Sequence, residues 1–139
     1  MKRWDWRAVV PILLLALLLA GCEGYTEMNA RSSEHQDGIG GSMSMSVGKA
    51  NGTSTKTLET AASSGATLDA TVVLKVGTGS YKIELLGEND EVTLVLEAQG
   101  REVVSGTGSM VTDAFGKAAY RVTAVEVEDV EYRIEYVFR

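Results

Sequence analysis

From Ser42 onward the apolar residues of this chain recur with a period of two. Leu68, Ala70, Val72, Leu74 and Val76 alternate with Asp69, Thr71, Val73 and Lys75. Tyr81, Ile83 and Leu85 alternate with Lys82 and Glu84, and Val92, Leu94, Leu96 and Ala98 with Thr93, Val95 and Glu97. Met43, Met45 and Val47 do so with Ser44 and Ser46. Tyr120, Val122 and Ala124, then Tyr132, Ile134, Tyr136 and Phe138, repeat the pattern near the C-terminus. Successive side chains of a strand point to opposite faces, so each run carries one apolar face and one mostly polar face. No part of the body sustains a 3.6-residue period. The single proline, Pro11, lies outside it, so every body residue can donate a ladder hydrogen bond.

Turn chemistry separates the runs. Asn51-Gly52 favours a type I′ hairpin, since both residues tolerate positive φ. Gly77-Thr78-Gly79 and Gln99-Gly100 read as tight connections, and Gly87 to Asp90 and Asp113 to Gly116 as longer turns. Glu128-Asp129 reads as the opening of the last turn. The alternation slips between Ala124 and Val127, which predicts a bulge or a strand passing from one sheet to another. The expected fold is all-β: an antiparallel β-sandwich of about eight strands over residues 42–139. Hydrophobic content of 45% in 139 residues suits one such core. Tyr81, Tyr120, Tyr132 and Tyr136 sit on the apolar faces and are expected in that core.

The head of the chain is a different object. Lys2, Arg3 and Arg7 face only Asp5, so the remainder is more acidic than the net charge of −6. An acidic body repels phosphate backbones, which argues against nucleic acid as a partner. Ala8 to Ala20 runs without a charge and falls short of the about 20 apolar residues of a permanent span. A basic start, a short apolar core and small residues at its end describe a signal peptide over residues 1–21. An uncleaved anchor and a buried helix are the alternatives.

The run ends in Leu19-Ala20-Gly21-Cys22 and contains the only cysteine. One cysteine makes no internal disulfide. These four residues, placed directly after the apolar core, resemble the lipobox of bacterial lipoproteins. The resemblance implies cleavage between Gly21 and Cys22, a diacylglycerol on the Cys22 thiol, and acylation of its new amino group. It further implies a membrane partner through that lipid and an extracytoplasmic place in a bacterial cell envelope. Each buried CH₂ contributes about 0.8 kcal/mol, so two or three chains hold a soluble domain firmly.

Residues 22–41 are polar, rich in Gly and Ser and without period, and are expected as a flexible tether. His35, the only histidine, falls there and reads as a solvated linker residue. Within the body, "GSYKIEL", "TDAFGKAAYRV" and "VEYRIEY" resemble bacterial immunoglobulin-like domains, which implies an aspartate-to-glycine turn before a penultimate strand and an aromatic-rich last strand.

Catalytic constellations are thin. A Ser or Cys nucleophile needs a held base, and the mature chain has one histidine in the tether and one cysteine assigned to lipid. No catalytic residue, cofactor or metal ligand is assigned, and the chain is not read as an enzyme. Two acidic stretches, residues 88–91 and 126–131, could offer oxygen ligands to Ca²⁺, but neither has EF-hand spacing. The expected role is a binding or structural module with an envelope protein as partner. A barrel-type carrier of a small ligand is the alternative, and a carboxylate-based enzyme a third reading.

Overall fold

The structure, a computed structural model, describes residues 24–62 and 64–139. The signal segment 1–21 and Cys22 lie outside the described residues. The body is all-β and antiparallel, with seven strands in one hydrogen-bonded sheet. The strands are β1 (Thr26–Met28), β2 (Arg31–Gln36), β3 (Gly40–Glu59), β4 (Thr67–Leu86), β5 (Val92–Gln99), β6 (Val103–Val111) and β7 (Lys117–Phe138).

Strand β7 is central, with β3 along one side and β4 along the other. The outer side of β3 carries β2 and then β1, and the outer side of β4 carries β6 and then β5. The sheet therefore has five lanes, and each of the two outer lanes is broken once. Every lane is interrupted at the same level. Asn29 (φ 56°) separates β1 from β2, and the register of β3 shifts between Ala50 and Gly52. In β4 it shifts between Thr78 and Ser80, around Gly79 at φ 80°. In β7, Glu126 and Asp129 have φ of 44° and 57°, and Arg101 at φ 67° separates β5 from β6. These interruptions form one transverse hinge line across the sheet. Bulges bend a strand and increase its twist, and here they act side by side.

The sheet folds along this line into two leaves that face each other. The first holds β2, residues 40–50 of β3, 127–138 of β7, 67–76 of β4, and β6. The second holds residues 52–59 of β3, 117–125 of β7, 80–86 of β4, and β5. Inward-facing parity changes across the hinge as this requires: Leu74 and Val76 are fully buried before it in β4, Tyr81 and Ile83 after it. In β7 the buried series runs Tyr120, Val122, Ala124, Val127, Val130, Tyr132. The slip expected between Ala124 and Val127 is this bulge.

Several expectations are corrected. Among the described residues there are seven strands, three of them 20 residues or longer, and they form one sheet instead of two separate ones. Asn51-Gly52, Gly77 to Gly79 and Glu128-Asp129 do not reverse the chain; they lie inside β3, β4 and β7. After Gln99-Gly100 the chain continues along β4 as β6 instead of returning beside β5. The expected reversals at residues 87–90 and 113–116 are found. Part of the expected tether is strand: Thr26–Met28 and Arg31–Gln36 pair with β3. All six residues of β2 are exposed, so it has no apolar face for a sequence pattern to show.

Candidate functional site

The two long edges of the folded sheet differ. On the β4 side, β5 and β6 close against each other. Gly106 and Gly108 leave room for Leu94, since a Cβ on Gly108 would lie 2.7 Å from the Cβ of Leu94. Thr93 stitches this edge: its hydroxyl donates to the Ser109 carbonyl, and the Ser109 N–H donates to the Thr93 oxygen at 3.2 Å. On the β3 side the leaves diverge. Ser32, Glu34, Met43, Met45, Thr55 and Lys56 line a cleft of about 350 Å³ with Tyr120 among its walls. Gln36 Nε2 spans one end of it to the Glu59 carbonyl at 2.9 Å.

Near the hinge this open edge is filled by a polar-aromatic cluster. Tyr25 donates to Glu27 Oε2 at 2.6 Å, and Lys56 Nζ pairs with the same oxygen at 3.1 Å while lying over the Tyr25 ring. Deeper in, Tyr81 stacks on Tyr132 with centroids 5.8 Å apart, and Tyr120 meets Tyr132 edge-on with hydroxyls 3.0 Å apart. The Tyr81 hydroxyl points into the same cluster, close to those of Tyr25 and Tyr132 but outside hydrogen-bond geometry to either. Burial pushes Tyr81 up to about 12 and raises Tyr25, Tyr120 and Tyr132 as well, because a phenolate would lose its water. Tyr81, Tyr120, Tyr132 and Tyr136 are thus core residues, as expected.

A concavity of about 600 Å³ lies on the outer face of the first leaf. Its form follows from the Ser-Met alternation of β3. Met43 is buried, which turns Ser44 and Ser46 outward, and their small side chains make a trough. Two cross-strand rows build it: Ser33, Ser44, Arg133 and Val73, then Arg31, Ser46, Glu131, Lys75 and Val103. Val73 and Val103 are exposed here, as cross-strand partners of Arg133 and Lys75. Three cations against one carboxylate line this trough, in a chain whose net charge is −6. Arg133 is held by Glu135, Nε to Oε1 at 2.7 Å. The arrangement can bind an extended ligand through serine hydroxyls, apolar contact and cationic heads.

The other residues singled out by sequence are dispersed. His35 stands in β2 opposite Ser42, exposed on the same outer face but not in the trough. Residues 88–91 form the turn between β4 and β5, whereas residues 126–131 cross the hinge in β7, where Glu128 pairs with Lys49 at 3.4 Å. The two acidic stretches sit at opposite ends of the sheet. Among the described residues, no three His, Cys, Asp or Glu side chains converge as a metal would require. Sequence reasoning missed Tyr25, Glu27, Arg31 and Ser33, all in the expected tether. The Ser42 to Ser46 alternation was the one signal for the trough.

No family model matches the chain, and no curated protein matches it. Among solved structures it is similar to the CBM22-1 xylan-binding domain from Paenibacillus barcinonensis Xyn10C, at 8% identity over 83% of this chain and 85% of that one, with a TM-score of 0.38. A carbohydrate binding module from Cellvibrio mixtus lichenase 5A is 10% identical over 81% and 88%, with a TM-score of 0.36. An oxalate oxidase is 10% identical over 81% of this chain and 53% of its own, with a TM-score of 0.42. Likeness of this degree does not establish a shared fold, and a shared fold would not by itself carry function.

Proposed function

We propose that this chain is a lipid-anchored protein of a bacterial cell envelope whose folded sheet works as a β-sandwich binding module, not as an enzyme. The observation that carries the reading is the run Leu19-Ala20-Gly21-Cys22, placed at the end of a short apolar core that follows a basic head. Cleavage between Gly21 and Cys22 discards the head. Acyl chains on Cys22 then hold the domain, because two or more buried chains exceed the marginal binding of one. The trough on the first leaf is the surface on which an envelope partner or ligand lies. The space between the leaves is filled by side chains such as Leu74, Ile83, Tyr81 and Tyr132, which supports a packed module over a hollow carrier.

Metabolic labelling with a palmitate analogue tests the anchor. The wild-type chain should label and run at its cleaved size, and Cys22→Ser should do neither. Unchanged labelling and processing in Cys22→Ser would sink the reading. For the module, Ser44→Trp fills the trough without entering the core. It should remove whatever partner the wild type recovers from detergent-solubilised membranes, while leaving the melting temperature in place.

A further inference from the structure

We infer that the hinge end of the folded sheet faces the membrane and lies against its headgroups, and that all the chain reversals point away. This rests on the lipid anchor at Cys22 proposed above and adds to it an orientation and a contact surface. Two observations on the fold carry it.

The first is the distance from the anchor to the fold. Strand β1 begins at Thr26, four positions after Cys22, and the chain is already held at Gly24: a Cβ at Gly52 would collide with the Gly24 carbonyl and come within 2.9 Å of the Tyr25 Cα. Gly52 is part of the hinge line. Two residues span at most about 7 Å between Cα atoms, so a lipid attached two positions before Gly24 would be tied close to the hinge. The long flexible spacer suggested by composition is not there to lift the domain off the bilayer, because Thr26–Met28 and Arg31–Gln36 are built into the sheet.

The second is that the two ends are not alike. The reversals at residues 37–39, 87–91 and 112–116, residues 60–62 and 64–66, and the C-terminal Arg139 lie at the end opposite the hinge. Among the described residues, Phe115 and Ile39 are the most exposed large apolar side chains, and both belong to that far end. A half-strand of eight to ten residues is about 25–30 Å long, so the turns stand roughly that far from the anchor. The hinge end carries Lys49 and Arg101 against Glu102, Glu126, Glu128 and Asp129. This excess of carboxylates disfavours an anionic lipid surface and fits a zwitterionic headgroup layer. The trough begins one row of residues above the hinge, at Arg31, Lys75, Val103 and Glu131, so its lower mouth opens beside the headgroups.

The full chain can be processed in a bacterial host, purified in detergent and placed in phosphatidylcholine vesicles whose headgroups carry a nitroxide quencher. Lipid occupies Cys22, so a fluorophore reacts only with a second, introduced cysteine. Thr78→Cys or Lys49→Cys marks the hinge end and Ser64→Cys the turn end. Quenching should be at least about threefold stronger at the hinge positions, given the length of a half-strand. Equal quenching at both ends in protein that floats with the vesicles overturns the orientation and leaves the anchor standing. Protein that does not float overturns both. A Gly/Ser linker of about ten residues after Glu23 should abolish the contrast, since such a chain is a flexible coil. A contrast that survives the linker overturns the short connection as its cause.

Discussion

At the hinge end Gly79, Gly52 and Glu126 bend strands without ending them, whereas at the far end Asn89, Gly65 and Gly116 reverse the chain. Both groups occupy positive φ, the region open to Gly and, at low cost, to Asn and Asp. Their surroundings differ. Gly79 is pressed against the backbone of β7, and a Cβ there would lie 2.7 Å from both the Val125 carbonyl oxygen and the Val127 Cα. Gly65 has nothing within 4 Å of the same position. A bend inside a paired sheet must keep its neighbours on both sides, while a reversal at the rim has neighbours on one side only. The hinge is therefore a collective feature of five lanes; at the far end Gly65 stands free, while Gly116 is packed against the 60–62 backbone, where a Cβ would lie 2.5 Å from the Ala62 carbonyl oxygen.

That contrast can be broken by substitution, with the largest effect at Gly79. Gly79→Ala should lose about 3 kcal/mol or more in denaturant unfolding, because strain at positive φ adds to a backbone clash. Gly65→Ala has only the conformational term and should lose about 1 kcal/mol. Equal losses would mean that the hinge is no more constrained than a turn.

Next in size is the tyrosine cluster of the hinge half. Tyr132→Phe keeps the packing but leaves the buried Tyr120 hydroxyl unpaired, at a cost of about 2 kcal/mol. The cluster also predicts alkaline sensitivity. Burial raises these phenols above the ordinary value of 10.0, to about 12 for Tyr81, so above pH 10 the unfolded chain releases protons that the folded chain retains. The contribution of Tyr81 is complete below pH 10 and is lost as pH rises towards and through 12, and those of Tyr25, Tyr120 and Tyr132, also raised by burial, persist to higher pH. Melting temperatures should be level approaching pH 10 and fall above it, less steeply in Tyr132→Phe. A level profile through pH 12 would remove the cluster from the account of stability.

A smaller effect is expected at the turn end. Asp113 accepts N–H bonds from Phe115 at 2.8 Å and Lys117 at 3.0 Å, and these bonds hold its carboxyl below the usual 3.8. Asp113→Ala should lower the melting temperature at neutral pH. Because the folded pKa is depressed, the difference from wild type should shrink as pH falls below 3.8 and through the folded value. A difference that stays constant with pH would assign the effect to something other than the carboxylate. Smallest of all is Lys49→Ala: its pair with Glu128 is exposed, and its loss should cost no more than about 0.5 kcal/mol.

Much of this was legible in the residues themselves. The period of two gave the all-β class and named the inward residues of β4, β5 and β7, since alternation is a local consequence of strand geometry. The break in parity from Ala124 to Val127 marked a bulge for the same reason. Many positive-φ positions were visible as Gly, Asn and Asp, whereas Arg101 and Glu126 carry no such signal. Tertiary structure alone decided what each did. Asn51-Gly52 has the composition of a hairpin and sits within β3, because residues 49–59 stay paired with residues 117–128 of β7 across the register shift. Arg31–Gln36 has the composition of a linker and is a strand, because β3 offers it an edge and no apolar face is demanded. The side-chain period and the sign of φ are set within a few residues. Whether the chain bends or turns back is set by pairing with strands far away in sequence, and that information is not local.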